Sequence, residues 1–93
     1  MNAAAKGRRA EHGTQAVLEA AGYQTTRAAA SKGPADIVAW NTTAVRFISV
    51  KSGTRYASAV EREALRLLPR PLNATVEIWR WPTRSRTPLV EVL

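Results

Sequence analysis

The sequence has no cysteine, a single histidine and no long apolar run, and each absence excludes a class of protein. Disulfides and thiolate zinc sites are excluded, and His12 alone cannot form a histidine cluster. Any metal must therefore be held by oxygen atoms, which favours Mg²⁺, with Mn²⁺ as a substitute, on carboxylates. No apolar stretch approaches the roughly 20 residues that span a bilayer, and residues 1–21 lack the apolar segment of a signal peptide. We therefore expect a cytoplasmic protein with no membrane partner.

Acidic residues are also scarce. The chain has 7 Asp and Glu against 14 Lys and Arg, which gives a net charge of +7, and the basic residues are spread from Lys6 to Arg86. This distribution predicts a basic face on a folded domain rather than a basic tail. Such a surface attracts polyanions, and nucleic acid is the most common partner because each neutralised phosphate releases counterions. A membrane surface is a weaker alternative, since no basic amphipathic stretch is present.

The length predicts one domain over residues 1–93, with no room for a separate binding domain. A core this small often leaves apolar surface that self-association covers, and a two-fold interface closes on itself. We therefore expect a homodimer.

Hydrophobic periodicity and turn residues predict seven elements in the order αβββαββ. The first helix is marked by Ala10, Val17, Leu18 and Ala21, and the second by a capping box of Ser58 and Glu61 before Val60, Ala64, Leu67 and Leu68. The predicted helices cover residues 6–21 and 59–68, and the predicted strands cover residues 23–27, 36–40, 45–51, 75–81 and 89–92. The fold class is α/β, with a mixed five-stranded sheet flanked by helices and an antiparallel meander at its start.

Three charged residues are predicted to meet at one end of this sheet. Glu11 lies two helical turns before Leu18 on the same stripe, so its carboxylate points towards the rest of the protein. Asp36 begins one strand and Lys51 ends the next, and a hairpin brings these positions together. Alternation along the strand places Ser49 on the same face as Lys51. Two carboxylates and a lysine are the minimum set for metal-dependent phosphodiester hydrolysis.

Each of these residues also has an ordinary structural interpretation. Asp36 alone is typical of a turn cap, Lys51 alone of a solvated strand end, and Glu11 alone of a helix-face contact with Arg8 or Gln15. His12 is expected to be an exposed helix residue. Trp79 and Trp81 share one face of the fourth strand, where packing in the core or at a dimer interface is favoured over base stacking.

The segments that carry these residues fall in a known order and spacing. They are Lys6-Gly7, Ala10-Glu11, Gly22-Tyr23, Arg27, Ser31-Lys32, Asp36-Ile37-Val38-Ala39 and Ile48-Ser49-Val50-Lys51. Over this half of the chain the sequence resembles the PD-(D/E)XK nucleases, and among them the archaeal-type Holliday junction resolvases. The resemblance implies a restriction-endonuclease-like core, in which Glu11 and Asp36 are metal ligands and Lys51 is the catalytic cation.

The resemblance also implies a DNA-binding role for Arg27 and Ser31, which match residues that contact the junction backbone. Arg8, Arg9 and Lys32 are further candidate phosphate contacts, although solvation explains Arg8 and Arg9 equally well. One departure from the pattern is Ser49, which stands where the family has Glu or Gln. A neutral hydroxyl is a weaker Mg²⁺ ligand than a carboxylate. Glu11 and the backbone carbonyl of Val50 are the expected compensating ligands, and Ser49 is kept as an active-site position.

We therefore expect a Mg²⁺-dependent endonuclease that cleaves four-way DNA junctions as a homodimer. Two alternatives stay open. A related nuclease would act on flaps or nicked duplex, and a catalytically silent relative would keep only the fold and the DNA-binding face.

Overall fold

Seven elements follow one another in the predicted order in a computed structural model, which describes residues 3–28 and 34–93, with side chains from residue 7 onward. The helices are α1 (Ala3–Ala20) and α2 (Ala59–Arg66). The strands are β1 (Gln24–Arg27), β2 (Ile37–Trp40), β3 (Val45–Ser52), β4 (Ala74–Trp81) and β5 (Leu89–Val92). The ends differ from the predicted ones by a few residues at most, as terminal turns and strand ends commonly do.

The strands form one mixed sheet in the spatial order β1-β2-β3-β4-β5. Strands β1, β2 and β3 make the predicted antiparallel meander, and β5 is antiparallel to β4. Strands β3 and β4 are parallel, because α2 carries the chain back across the sheet between them. A tight turn joins β2 to β3, where the side chain of Asn41 accepts hydrogen bonds from the backbone amides of Thr43 and Ala44.

Helix α1 packs on one face of the sheet through residues spaced four apart. Ala10, Thr14 and Leu18 are buried, whereas Val17 and Ala21 of the predicted stripe are exposed. A threonine can occupy the buried stripe because its hydroxyl is satisfied twice. It donates to the Ala10 carbonyl at 2.9 Å and accepts from the Trp81 indole at 2.8 Å. The predicted helix is correct, but its buried stripe is rotated towards Thr14, which an apolar pattern does not detect.

The core beneath α1 contains Leu18, Ile37, Ala39, Ile48 and Trp79. Trp81 packs beside it against Gly13, where an added Cβ would lie 3.2 Å from the indole ring. Both tryptophans therefore pack within this chain, in agreement with the prediction that they lie in the core. No described helix is long and apolar enough to cross a membrane.

Helix α2 covers the opposite face with a smaller contact. Leu65 is buried against Val76 and Ile78, while Val60 is 80% exposed and Leu67 is 71% exposed. The helix lies where it was predicted, but the apolar positions that marked it point mainly to solvent. An apolar stripe on α2 is therefore left without a partner within the described part of the chain.

An ion pair is buried under the α1 side of the sheet. The Arg46 guanidinium donates to both carboxylate oxygens of Glu77, at 2.8 and 2.7 Å, and lies over the rings of Tyr23 and Trp79. Glu77 also accepts hydrogen bonds from Thr75 at 2.6 Å and from the Trp79 indole at 2.9 Å. Burial opposes ionisation, but these hydrogen bonds outweigh it and hold the pKa of Glu77 below its ordinary value.

Candidate active site

The start of β2 and the end of β3 lie side by side, and this juxtaposition brings Asp36 to the segment that contains Lys51. The Asp36 amide donates to the Ile48 carbonyl at 2.8 Å. The Asp36 carboxylate accepts from the Val50 amide at 2.7 Å. Asp36 directly precedes β2, and its side chain extends the hydrogen bonding between β2 and β3 by one step before the start of β2, which fixes the carboxylate beside β3.

The electrostatic surroundings of Asp36 disfavour its charged form. Burial is the largest cause, and the neighbouring charges of Glu11 and Glu61 add to it, so the pKa of Asp36 is raised. The Val50 hydrogen bond and the charge of Lys51 act in the opposite direction without cancelling the rise. Glu11, Lys51 and Glu61 are thus all near enough to Asp36 to act on its charge.

Lys51 is nearly enclosed, with 11% of its side chain exposed, and its ammonium group forms an ion pair with Glu61. Glu61 occupies the first turn of α2, where the capping box fixes it. One carboxylate oxygen accepts from the Ser58 amide at 3.1 Å, and the other accepts from Lys51. The bond from Lys51, followed by that from Ser58, lowers the pKa of Glu61, which therefore remains ionised.

Sequence reasoning identified Glu61 as a capping residue and missed its contact with Lys51. A signal was nevertheless present. A helix that crosses over between parallel strands begins near the end of the first strand, so the first turn of α2 must approach the end of β3. The capping box then specifies which side chain of that turn is held there.

Glu11 forms an ion pair with Arg27, and this contact joins two residues that were predicted to play separate roles. The Arg27 guanidinium reaches one Glu11 carboxylate oxygen from two nitrogens, at 2.9 and 2.8 Å. The predicted partner Arg8 is exposed, and Gln15 instead donates to Thr25 at 3.0 Å. Glu11 is partly buried, with 23% of its side chain exposed.

The remaining predicted residues are in different surroundings. Ser49 is 2% exposed, on the strand face that meets α2, and shares that face with Lys51. Arg8 and Arg9 are exposed on α1, and Ser31 and Lys32 lie outside the described residues. Within residues 3–28 and 34–93, no three Asp, Glu, His or Cys side chains are arranged as a ready-made metal cage.

A cavity of about 600 Å³ opens at the same end of the sheet, on the α1 side. Its lining includes Arg9, Ser52, Trp81 and Arg84. Ser52 directly follows Lys51 in β3, so this basic, partly aromatic recess lies on the opposite face of the same strand end. Glu11, Asp36, Lys51 and Glu61 form a cluster of charged residues at this end of the sheet.

The chain is similar to known proteins in sequence and in fold. Residues 2–70 match the family described as Archaeal holliday junction resolvase (hjc). Among curated protein sequences, none matches the chain. Among solved structures, the chain is similar to that of Archaeoglobus fulgidus Hjc, a Holliday junction resolvase from an archaeal hyperthermophile, with 28% identity and a TM-score of 0.73. The similarity covers 95% of this chain and 71% of that one.

Proposed function

Because this chain belongs to the archaeal Holliday junction resolvase family, we propose that it is a Mg²⁺-dependent endonuclease that cleaves four-way DNA junctions as a homodimer. The observation that carries this proposal is the juxtaposition of Asp36 with Val50 and Lys51 at the end of the sheet. It supplies a carboxylate of raised pKa and a nearly enclosed ammonium group within the segment that matches the family.

The donor set suits Mg²⁺, which binds proteins through one or two carboxylates and keeps waters or substrate phosphates as its other ligands. Asp36 and Glu11 would provide the carboxylates. The Val50 carbonyl would provide a third oxygen, because the amide and carbonyl of one strand residue point towards the same neighbouring strand and the Val50 amide already faces Asp36. A bound cation would also relieve the repulsion that Glu11 and Asp36 exert on each other.

When bound, the ion supplies Lewis acidity towards the phosphate and lowers the pKa of a coordinated water. The chain's own residues orient the substrate around it. Lys51 stabilises negative charge that develops on the phosphate, and its enclosed position makes that interaction stronger than it would be in water. Arg8, Arg9 and Arg27 would contact the DNA backbone, together with Ser31 and Lys32, and the net charge of +7 supports this assignment.

We include dimerisation because resolution of a junction needs two symmetric cuts, and the described residues provide a single candidate active site. The exposed stripe of Val60, Ala64 and Leu67 on α2 is the surface we assign to a second copy. Val60→Glu with Leu67→Glu should convert a dimer into a monomer in light scattering. Leu72→Glu, at an exposed position outside the helix, is the matched control. A double variant that remains dimeric would assign the interface elsewhere.

The decisive experiment is cleavage of a labelled four-way junction and a matched duplex, with Mg²⁺, Mn²⁺ or EDTA. Wild type should make paired cuts in the junction only with metal, and Asp36→Asn should bind the junction without cutting it. The Asn side chain can still accept from the Val50 amide, so the local structure should persist. Cutting by Asp36→Asn at the wild-type rate would contradict the proposal.

The neutral side chain at position 49 favours one second candidate, a DNA-binding relative without catalysis. Tight junction binding without cuts by wild type, in either metal, would support this candidate. Cuts in flaps or nicked duplex at a higher rate than in the junction would instead indicate a related repair nuclease.

A further inference from the structure

Ser49 is uncharged, but helix α2, which faces it, carries the negatively charged Glu61 in its first turn. Ser49 lies on the strand face that meets α2 and is almost completely buried there. Lys51, two residues along the same face, ends in an ion pair with Glu61 of α2. The same region of space, bounded by β3 and the first turn of α2, therefore receives a carboxylate from the helix rather than from the strand.

We propose that Glu61 is a positioning residue of the active site, which takes the part that an acid at position 49 would play. It orients the Lys51 ammonium and adds a negative charge beside Asp36 that strengthens metal binding. This inference rests on the proposed function, because it assigns Glu61 to the same site.

The contacts of Glu61 fit this role better than capping alone. A cap needs only one carboxylate oxygen, and the bond from the Ser58 amide engages that oxygen. The second oxygen accepts from Lys51. Because the first contact anchors the carboxylate to the helix backbone, the second contact holds the flexible lysine side chain against a rigid element.

The position of Glu61 also keeps it charged. The amino-terminal turn of a helix stabilises a negative side chain, and Glu61 lies in that turn of α2. A carboxylate that is both capped and paired with an ammonium group remains ionised near neutral pH. The contact with Lys51 places this charge next to Val50, whose amide donates to Asp36. The total carboxylate charge beside Lys51 is thereby restored despite the neutral Ser49.

Glu61→Gln separates positioning from capping, because the amide oxygen can still accept from Ser58 while the charge is lost. The matched control is Glu63→Gln, two residues along the same helix, whose side chain is 61% exposed and contacts Arg66. The first readout is Mn²⁺ affinity measured by electron paramagnetic resonance on the free protein. The second is single-turnover junction cleavage at saturating Mn²⁺. Unfolding in urea checks that both variants are folded.

We expect Glu61→Gln to weaken Mn²⁺ binding and cleavage by about 10–100-fold each. This range is typical of residues that orient the ligands of a metal without binding the metal themselves. Glu63→Gln should leave both readouts unchanged. The double variant Ser49→Glu with Glu61→Gln should recover Mn²⁺ affinity, since it returns a carboxylate to the strand.

Unchanged Mn²⁺ affinity in Glu61→Gln overturns the inference, whatever happens to cleavage, and leaves Glu61 as a cap. If wild type binds Mn²⁺ but does not cut junctions, the proposed function fails, while the comparison of Mn²⁺ affinities still decides the role of Glu61.

Discussion

Strand β3 carries a charged residue near each end, and the two lie in very different surroundings. Near its start, Arg46 joins Glu77, which accepts hydrogen bonds from three residues and has a lowered pKa. Near its end, Lys51 pairs with Glu61, while Asp36 beside it has a raised pKa. The same kinds of side chain therefore form one cluster that is electrostatically satisfied and one that is not.

The difference indicates how this small domain divides stability from chemistry. A fully paired buried carboxylate has no tendency to bind anything more, so the Arg46–Glu77 pair serves the fold. A carboxylate that is destabilised by burial and by like charges is stabilised when a cation binds to it. The cluster around Asp36 is therefore the better candidate for a cation site, whereas the Arg46–Glu77 pair and the core stabilise the sheet.

The largest expected effect comes from removing the cation of the unsatisfied cluster. Lys51→Met should reduce single-turnover cleavage by about 10²–10³-fold, the usual cost of losing one group that stabilises transition-state charge. Its stability in urea should change little, because methionine keeps most of the buried stem. Loss of cleavage that is matched by loss of folded protein would instead make Lys51 a structural residue, and the contrast between the clusters would disappear.

The second-largest effect should be a loss of stability with no loss of cleavage, the reverse of what is expected for Lys51→Met. Glu77→Gln leaves Arg46 without its counterion and should lower the free energy of unfolding by about 3 kcal/mol, near the low end for a broken buried pair because Arg46 is partly exposed. Cleavage per folded molecule should remain at the wild-type level. Urea unfolding followed by tryptophan fluorescence provides the measurement. A stable but inactive variant would mean that this pair also shapes the active site.

The two carboxylates should also impose opposite pH dependences. The raised pKa of Asp36 makes the folded state bind its proton more tightly, so stability falls as the pH rises from the ordinary value of 3.8 through the folded pKa. The lowered pKa of Glu77 gives stability that is present above 4.5 and lost as the pH falls through its folded pKa. Asp36→Asn should therefore raise the melting temperature at pH 7 without metal, and the gain should vanish in acid. A lower melting temperature at pH 7 would contradict the sign.

The smallest effect should come from a pair with equally good geometry but an exposed carboxylate, since 49% of the Glu91 side chain is exposed against 2% of Glu77. Arg62 of α2 donates to both oxygens of Glu91 of β5, at 2.7 and 2.8 Å. Glu91→Gln should unfold at nearly the wild-type urea concentration, because solvent screens exposed pairs. A loss as large as that of Glu77→Gln would show that bidentate geometry, rather than burial, decides the strength of these pairs.

Much of this arrangement was predictable because it depends on local pattern. The hairpin that joins Asp36 to Lys51 follows from two short strands and the Asn41 turn, and the family match and sheet order confirm the fold class and its element order. The capping box predicted where α2 begins. These features are encoded within a few neighbouring residues, so the sequence alone specifies them.

Other features depend on how distant elements meet, and the pattern was insufficient for them. The pairing of Glu11 with Arg27 depends on where β1 lies beside α1, and the Lys51–Glu61 contact depends on the height of α2 over the sheet. The buried face of α2 was misleading because Leu65 alone is deeply buried, while the more regular apolar stripe remains exposed. The roles of the site residues stay predictions that the proposed variants address.

The Val50 amide proton makes the state of the Asp36 carboxylate observable by NMR. The 2.7 Å hydrogen bond attaches this proton directly to the carboxylate, within a strand that is otherwise rigidly paired. Its chemical shift should therefore change when Asp36 gains a proton or binds an ion, while the chemical shifts of amides further along β3 stay constant. A single peak in a nitrogen–proton spectrum would then report site occupancy in the intact protein, before any DNA is added and without a label on the substrate.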